Sequence, residues 1–229
     1  MRELWFADLG LIGYPECFEL QRKLAALRLA GEIEDTLLLL EHTPVVTLGA
    51  AGGEGSLRVE PEALERQGIA LFHTDRGGNA TYHGPGQLVG YPIFDLRSHG
   101  RDVHLFIRNL ERAVVDCLAD FGVAGEVMPG YTGVWVSGEK ICSIGIAVRR
   151  WITYHGFALN VSPNFEHWSL IDPCGLTGRQ VTSLERLIGR CPDMGEVKGS
   201  VVAKLARVFD LEPVRTDVAD ILASARVGS

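Results

Sequence analysis

Residues 133–161, GVWVSGEKICSIGIAVRRWITYHGFALNV, carry the densest strand signal of the chain. Three segments rich in β-branched and aromatic residues follow one another here, with a Ser137-Gly138 turn after the first: GVWV (133–136), KICSIGIAV (140–148) and WITYHGFALNV (151–161). Short strands joined by tight turns are typical of an antiparallel meander. We therefore expect three adjacent antiparallel strands in this stretch, within an α/β protein.

The flanking sequence predicts the helices and the remaining strands. Residues 14–30 and 195–210 have apolar residues at helical spacing, and residues 102–122 form the clearest helical pattern, whose apolar face includes Cys117. Pro92 suggests an edge strand or a bulge, because proline cannot donate to a central ladder. The other predicted elements are strands over 35–42, 45–49 and 87–96 and a short helix over 61–68.

Composition limits the class of protein. The 229 residues are 46 % hydrophobic, and no repeat or linker divides them, so we expect a single domain over 1–229 with a core from about 4 to 210 and a C-terminal tail. The net charge of −7 without a basic block argues against a nucleic-acid partner and against a membrane surface. The N-terminus lacks a signal-peptide core, and the five scattered cysteines include no C-x-x-C pair. We therefore expect a protein of the reducing cytoplasm.

Three glycine-rich segments could carry chemistry: RGGNATYHGPGQLVGYP (76–92), GEKICSIG (138–145) and HGFALN (155–160). The first could cradle an anion or an oxyanion with its backbone N–H groups, or it could be two turns that flank a strand. Its glycine spacing fits neither a P-loop nor a dinucleotide fingerprint. The sequence contains no H-E-x-x-H, C-x-x-C or carboxylate cluster that would indicate a metal, and no G-x-S-x-G.

Lys140 and two cysteines are the candidates for nucleophilic chemistry. Lys140 opens a strand in which Cys142 shares its face, and a lysine beside a thiol favours the reactive thiolate. Lys140 could instead sit at the strand end and extend its ammonium into water. Cys174 lies in LIDPCGLTG (170–178), between a proline and a glycine, as if presented on a loop. Strand periodicity favours Cys142 and loop context favours Cys174, so the residues alone leave both open.

The segments taken together resemble the lipoyl(octanoyl) transferases, which are relatives of the biotin and lipoate protein ligases. RGGNATYHGPGQLVGYP, GEKICSIG, HGFALN and PCG (173–175) occur in the order and spacing of that family, across about residues 4–210. The resemblance implies a mixed, largely antiparallel sheet with helices packed on it. It also implies an acyltransferase that uses no ATP and needs no cofactor.

The family's functional residues carry over by position. Cys174 becomes the acyl-thioester nucleophile, and Lys140 becomes the group that lowers the pKa of that thiol. The acyl substrate would be bound by residues of the three glycine-rich segments: Arg76, Gly77, Gly78, Asn79, Ala80, Thr81, Tyr82, His83, Ser143, Ile144, Gly145, Gly156, Phe157 and Ala158.

The resemblance also implies the partners. The donor would be octanoyl-acyl carrier protein, and the acceptors would be a lysine of the lipoyl domains of 2-oxoacid dehydrogenases and of the glycine-cleavage H protein. We expect a monomer. Both partner proteins are acidic in the family's usual setting, so the net charge of −7 predicts a local basic patch, with Arg149 and Arg150 as members.

Overall fold

The computed structural model of the chain describes residues 2–171 and 180–225, with the side chain of Glu54 left aside. Its ten strands are β1 (Arg2–Ile12), β2 (Asp35–His42), β3 (Val45–Leu48), β4 (Ala70–His73), β5 (Ala80–His83), β6 (Gln87–Ile93), β7 (Val134–Val136), β8 (Glu139–Arg149), β9 (Ile152–Asn160) and β10 (Leu211–Arg215). The α-helices among these residues are α1 (Tyr14–Ala30), α2 (Pro61–Glu65), α3 (Val103–Asp120), α4 (Leu184–Ile188), α5 (Met194–Phe209) and α6 (Val218–Ser224).

A seven-stranded sheet forms the centre of the molecule, in the order β10-β1-β2-β6-β9-β8-β7. The pairs β10–β1 and β1–β2 are parallel, and the other four are antiparallel. The meander predicted from residues 133–161 is confirmed as β7, β8 and β9. The fold class, a mixed and largely antiparallel sheet with packed helices, is confirmed as well.

Helices cover both faces of this sheet. Alternate residues of β2 point to opposite sides: Leu37 joins a core with residues of α3 and α5, whereas Leu38 joins a core with residues of α1 and α6. A strand buried on both faces reads as a continuous apolar run, as DTLLLLEH does. The predicted helix over 102–122 is confirmed as α3, whose N-terminus is capped by the Asp102 side chain.

A second, three-stranded sheet in the order β4-β3-β5 packs beside β8 and β9. The glycine-rich loop 76–79 connects β4 to β5, and the backbone N–H of Gly77 donates to the Ile146 carbonyl in β8 at 3.0 Å. The sequence did not indicate this sheet, because β4 and β5 have only four residues each and β5 lies inside a segment read as a loop.

The prediction that Pro92 marks an edge or a bulge was wrong. β6 lies in the middle of the seven-stranded sheet, and Pro92 is paired with Leu37 of β2. The proline is tolerated because the ladder between β6 and β9 ends at Gly90, two residues earlier, so no donor is missed there.

The chain after residue 210, treated above as a tail, forms β10 and α6. β10 pairs with β1, and Ile221 of α6 is completely buried in the core beside α1. Within residues 2–171 and 180–225, no helix is long and apolar enough to cross a membrane.

Candidate active site

Arg76 fixes the glycine-rich loop onto the three-stranded sheet. Its guanidinium donates to the Thr47 hydroxyl and carbonyl oxygen and to the Asn79 carbonyl, at 2.8 to 3.2 Å, and Nη1 donates to the Gly77 carbonyl at 3.0 Å. Arg76 is 7 % exposed, so these charge-assisted bonds are shielded from water. Arg76 therefore shapes the loop through its own contacts with the protein.

The loop can approach β8 only because glycine stands at two positions. Gly78 has a φ of +90°, which side-chain-bearing residues rarely adopt. A Cβ at Gly145 would come within 2.7 Å of the Gly77 carbonyl oxygen. The glycines of the two separate motifs thus allow one close backbone contact.

A narrow cleft of about 450 Å³, counting its open mouth, lies between this loop, β5, β6, β8 and β9. Its lining includes eleven of the fourteen acyl-binding residues named from the sequence: Arg76, Gly77, Gly78, Thr81, His83, Ser143, Ile144, Gly145, Gly156, Phe157 and Ala158. Asn79, Ala80 and Tyr82 do not line it. Successive side chains of β5 point to opposite faces, so Thr81 and His83 face the cleft while Tyr82 packs in the core of the small sheet.

His83 is held neutral inside this cleft. Its Nδ1 lies 2.8 Å from the Gln87 side-chain oxygen, and the residue is 5 % exposed. Burial lowers the pKa of His83 well below its ordinary value, and the neighbouring His42 and Arg76 lower it further.

A second polar group at the cleft was missed by the sequence reasoning. His155 Nε2 lies 2.9 Å from a carboxylate oxygen of Asp75 and 3.2 Å from the Thr74 hydroxyl, and its Nδ1 lies 3.4 Å from the Tyr14 hydroxyl. His155 and Tyr14 both line the cleft. Burial lowers the pKa of His155, whereas its bond to Asp75 acts in the opposite direction.

The backbone of His155 is unusual for a strand residue. Its φ is +58°, and its N–H is held by the buried side-chain oxygen of Gln21 at 2.8 Å. Strained conformations of this kind persist where surrounding contacts impose them, often at functional sites. The signal was present in HGFALN, but only residues 156–158 of that motif were singled out.

Lys140 is buried at the start of β8, so the alternative of an ammonium extended into water is wrong. It is 5 % exposed, and its Nζ lies 5.0 Å from the centre of the Trp135 ring. Its backbone N–H donates to the Gln180 carbonyl, and its carbonyl accepts from the Thr182 N–H, both at 3.0 Å. Lys140 does not line the cleft itself; Ser143, three residues further along β8, does.

Cys174 lies outside the described residues, so its position relative to Lys140 stays a prediction. The other four cysteines are described. Three of them are buried, and burial raises the pKa of Cys17 to about 12, of Cys117 to about 11 and of Cys142 further still. A buried thiol with a raised pKa is a poor nucleophile. Cys142, which the sequence left open, therefore has the wrong surroundings for this role. The fourth, Cys191, is exposed.

Arg149 and Arg150, expected in a basic patch, line a separate surface groove together with Arg22 of α1. They stand at the tip of the β8–β9 hairpin, whereas Lys140 stands at its opposite end. Arg149 lies nine positions further along the strand than Lys140, which corresponds to about 30 Å. The described residues contain no cluster of histidine, cysteine, aspartate and glutamate that could hold a metal ion.

Comparison with known proteins matches residues 13–206 to the lipoyl protein ligase A/B catalytic domain. An octanoyltransferase of Solibacter usitatus is 49 % identical over 93 % of this chain and 96 % of its own length. One of Desulforamulus reducens is 43 % identical over 92 % of this chain and 93 % of its own length. The chain belongs to the lipoyl protein ligase A/B catalytic family. It is an acyltransferase that transfers octanoyl groups in protein lipoylation.

A solved structure agrees with the fold. It is a bi-partite lipoate protein ligase, reported with its E2 lipoyl domain, from Thermoplasma acidophilum. It superposes with a TM-score of 0.77 over 99 % of this chain and 92 % of its own, at 18 % identity. At that identity the likeness concerns the architecture alone.

Proposed function

We propose that the chain moves an octanoyl group from the thioester of acyl carrier protein to a lysine of a lipoyl domain, through a thioester on Cys174. Lys140 stabilises the Cys174 thiolate and carries protons between the two half-reactions. The relatives' name supports the acyl group, and the lipoyl domain reported with the Thermoplasma ligase supports the class of acceptor. The free cysteines of the described chain support a reducing, cytoplasmic setting.

The observation that carries the proposal is the backbone pairing of Lys140 with Gln180 and Thr182. Cys174 lies between Ile171 and Gln180 in the sequence, and Gln180 is hydrogen-bonded directly to Lys140. Six residues span at most about 20 Å, which keeps Cys174 within reach of the lysine and of the neighbouring cleft.

The cleft supplies an apolar wall for the acyl chain. Ala158 of β9 and Tyr91 of β6, which share the core cluster packed against α1, line it. Burying a methylene contributes roughly 0.8 kcal/mol, so a fully enclosed octanoyl chain would gain several kcal/mol of binding.

A backbone donor for the developing oxyanion is available in the loop. The N–H group of Gly78, which lines the cleft, donates to no other residue of the described chain, although the Gly78 carbonyl accepts from the Ala51 N–H. Unpaired N–H groups beside a cleft are suited to bind an oxyanion, and each such donor contributes about 10²-fold or more to acyl-transfer rates.

The proposed reaction consists of two acyl-transfer steps and needs no nucleotide. The Cys174 thiolate attacks the donor carbonyl, the carbon–sulfur bond to the carrier breaks, and the carrier thiolate takes a proton from Lys140. The acceptor amine next attacks the Cys174 thioester, Cys174 leaves as thiolate, and the amine proton passes to Lys140. Exchange of one thioester for another is nearly balanced, and formation of the amide is downhill.

The test is intact-mass and peptide analysis after incubation with octanoyl-acyl carrier protein. We expect one octanoyl adduct on the Cys174 peptide, lost when a lipoyl domain is added. Cys174→Ala abolishes the adduct, whereas the matched variant Cys142→Ala keeps it. Lys140→Met, which retains the apolar stem, lowers the rate of adduct formation at neutral pH by 100-fold or more, on the order of a lost general acid–base group.

Other outcomes would contradict the proposal. An adduct on Cys142 would move the nucleophile to the β8 strand. ATP-dependent octanoylation that survives Cys174→Ala would indicate a nucleotide-using ligase on the same scaffold. No adduct on the unmodified chain, together with no octanoyl transfer by it, would leave only an acyl-binding role.

A further inference from the structure

A buried hydrogen-bonded chain begins at His83 and crosses the sheet toward Lys140. Gln87 is completely buried, and its side-chain nitrogen donates to the Tyr82 carbonyl at 3.2 Å and to the Asn160 side-chain oxygen at 3.0 Å. A backbone carbonyl can only accept, so this end of Gln87 must be the NH₂ group. The Gln87 oxygen therefore faces His83.

That orientation decides the tautomer of His83. The Gln87 oxygen lies 2.8 Å from Nδ1 and can only accept, so Nδ1 carries the proton. In the neutral imidazole, Nε2 then has a free lone pair. No other hydrogen bond to the His83 ring is made by the described part of the chain, and His83 lines the cleft. His83 thus offers the cleft a hydrogen-bond acceptor.

The far end of the chain is anchored beside Lys140. The Asn160 amide nitrogen donates to the Thr182 carbonyl at 3.0 Å, and the Thr182 N–H donates to the Lys140 carbonyl at 3.0 Å. The pairing of Gln87 with Asn160 on neighbouring strands fixes the spacing. The same bonds that orient His83 therefore connect it to the backbone that holds Lys140.

Thr81 offers a polar group of the opposite kind. Its hydroxyl is buried and has no hydrogen-bond partner among the described residues, and Thr81 lines the same cleft. Thr81 and His83 share a face of β5, about 7 Å apart. A buried hydroxyl without a partner in a native protein calls for an explanation, and a polar atom of a bound substrate would provide one.

We infer that Gln87 is a positioning residue for the second half-reaction: it holds His83 with Nε2 as the acceptor for an N–H of the attacking lysine amine. The Thr81 hydroxyl donates to the thioester carbonyl that the amine attacks. This inference rests on the proposed function. Together the two side chains would orient the amine nitrogen toward the carbonyl carbon.

His83 orients the amine without taking its proton. The amine nitrogen bonds to the carbonyl carbon, the carbon–sulfur bond to Cys174 breaks, and the released proton goes to Lys140 as proposed above. A neutral imidazole is suited to this, because the low pKa that burial gives His83 keeps its lone pair free at neutral pH.

The first test is independent of catalysis. Proton–nitrogen NMR of the full chain, with the His83 signal assigned by loss in His83→Gln, should show a neutral ring protonated at Nδ1 and not at Nε2 at pH 7. A ring protonated at Nε2, or a charged ring at pH 7, would overturn the inference. Neither result depends on whether Cys174 is the nucleophile.

The second test separates the half-reactions in single-turnover experiments with octanoyl-acyl carrier protein and a lipoyl domain. Gln87→Met should leave acylation within about twofold and slow transfer to the lysine about 10-fold, the effect of one misaligned hydrogen bond. Gln67→Met, at an exposed glutamine, serves as the matched control and should change neither rate. Equal slowing of both half-reactions in a folded Gln87 variant would reject a role in positioning the amine.

If Gln87→Met fails to fold, Gln87→Glu replaces it. Its carboxylate still accepts from Nδ1 and favours the charged imidazole, so the transfer step, and not acylation, should gain a new loss of rate on acidification. Parallel pH profiles for the two half-reactions would contradict the inference. Absence of any adduct on Cys174 in the unmodified chain would instead contradict the proposed function, while the NMR result on the His83 tautomer would remain valid.

Discussion

At the scale of single residues, the position of Lys140 depends on what lies beneath its side chain. Gly133 has a φ of +120°, and a Cβ there would come within 2.5 Å of the Cys142 carbonyl oxygen and 3.1 Å of the Lys140 Cε. The Gly133 N–H is held by the buried carboxylate of Glu111 at 2.9 Å. Gly133 therefore packs directly against the Lys140 side chain, and Glu111 holds Gly133 in place.

Gly133→Ala tests whether this close packing positions Lys140. The forbidden backbone angle and the two close contacts should lower the free energy of unfolding by roughly 1–3 kcal/mol and slow acylation of Cys174, because Lys140 is displaced. Gly138→Ala is the matched control: its φ is +81°, but no atom lies within 4 Å of the added Cβ. Urea denaturation and adduct formation measure the two effects. Equal acylation rates in the two variants would show that Gly133 does not position Lys140.

Sequence reasoning reached Lys140 but could not choose between its two cysteine partners. Period-2 spacing places Cys142 on the face of Lys140, and it gives no measure of burial. Cys142 is completely enclosed, and this burial raises the pKa of its thiol although the nearby Lys140 acts in the opposite direction. Depth of burial is set by α3 packing on the sheet, which is a long-range contact that spacing along one strand does not contain.

At the scale of secondary-structure elements, local pattern predicted the long and periodic segments. α3 and the β8–β9 hairpin carry their own capping, spacing and turn signals. β5 does not, because its four residues lie within a glycine-rich run and become a strand only by pairing with β3. The same pairing decides which residues of 80–83 face the cleft. The sequence alone therefore could not show that Thr81 and His83 face the cleft while Ala80 and Tyr82 face away from it.

The C-terminal elements give the prediction at this scale. Ile221 is completely buried where α6 packs beside α1, so α6 is part of the core. Ile221→Ala should lower the free energy of unfolding by about 2–4 kcal/mol, since it leaves a cavity in a packed core. Asp220→Ala, on the exposed side of the same helix, should change it by less than about 0.5 kcal/mol. Urea denaturation of both variants checks this, and matching losses would mean that α6 adds little to the core.

At the scale of the whole molecule, the two sheets enclose three histidines that contact one another or the same tyrosine. The His42 and His83 rings lie 5.7 Å apart, and His42 Nε2 lies 2.8 Å from the Tyr91 hydroxyl. His155 packs against Tyr91 with ring centres 6.4 Å apart. Burial lowers the pKa of all three histidines, that of His42 to about 4.

This cluster predicts how stability depends on pH. The unfolded chain binds protons on these histidines as the pH falls through about 6.5, whereas the folded chain binds them only at lower pH. For His42 the contribution to stability is therefore complete above pH 6.5 and is lost as the pH falls from 6.5 to about 4, and His83 and His155 act in the same direction. For His42 alone the loss amounts to about 3 kcal/mol, at about 1.4 kcal/mol per unit of pKa.

His42→Asn isolates that contribution. The asparagine amide can still donate to the Ile12 carbonyl, which His42 Nδ1 contacts at 2.9 Å, but it does not titrate. Urea denaturation between pH 7.5 and 4.5 should show a steep fall in the free energy of unfolding for the unmodified chain and a shallower fall for His42→Asn. His104→Asn, at an exposed histidine of α3, should follow the unmodified chain. Identical slopes for His42→Asn and the unmodified chain would mean that folding does not lower the pKa of His42.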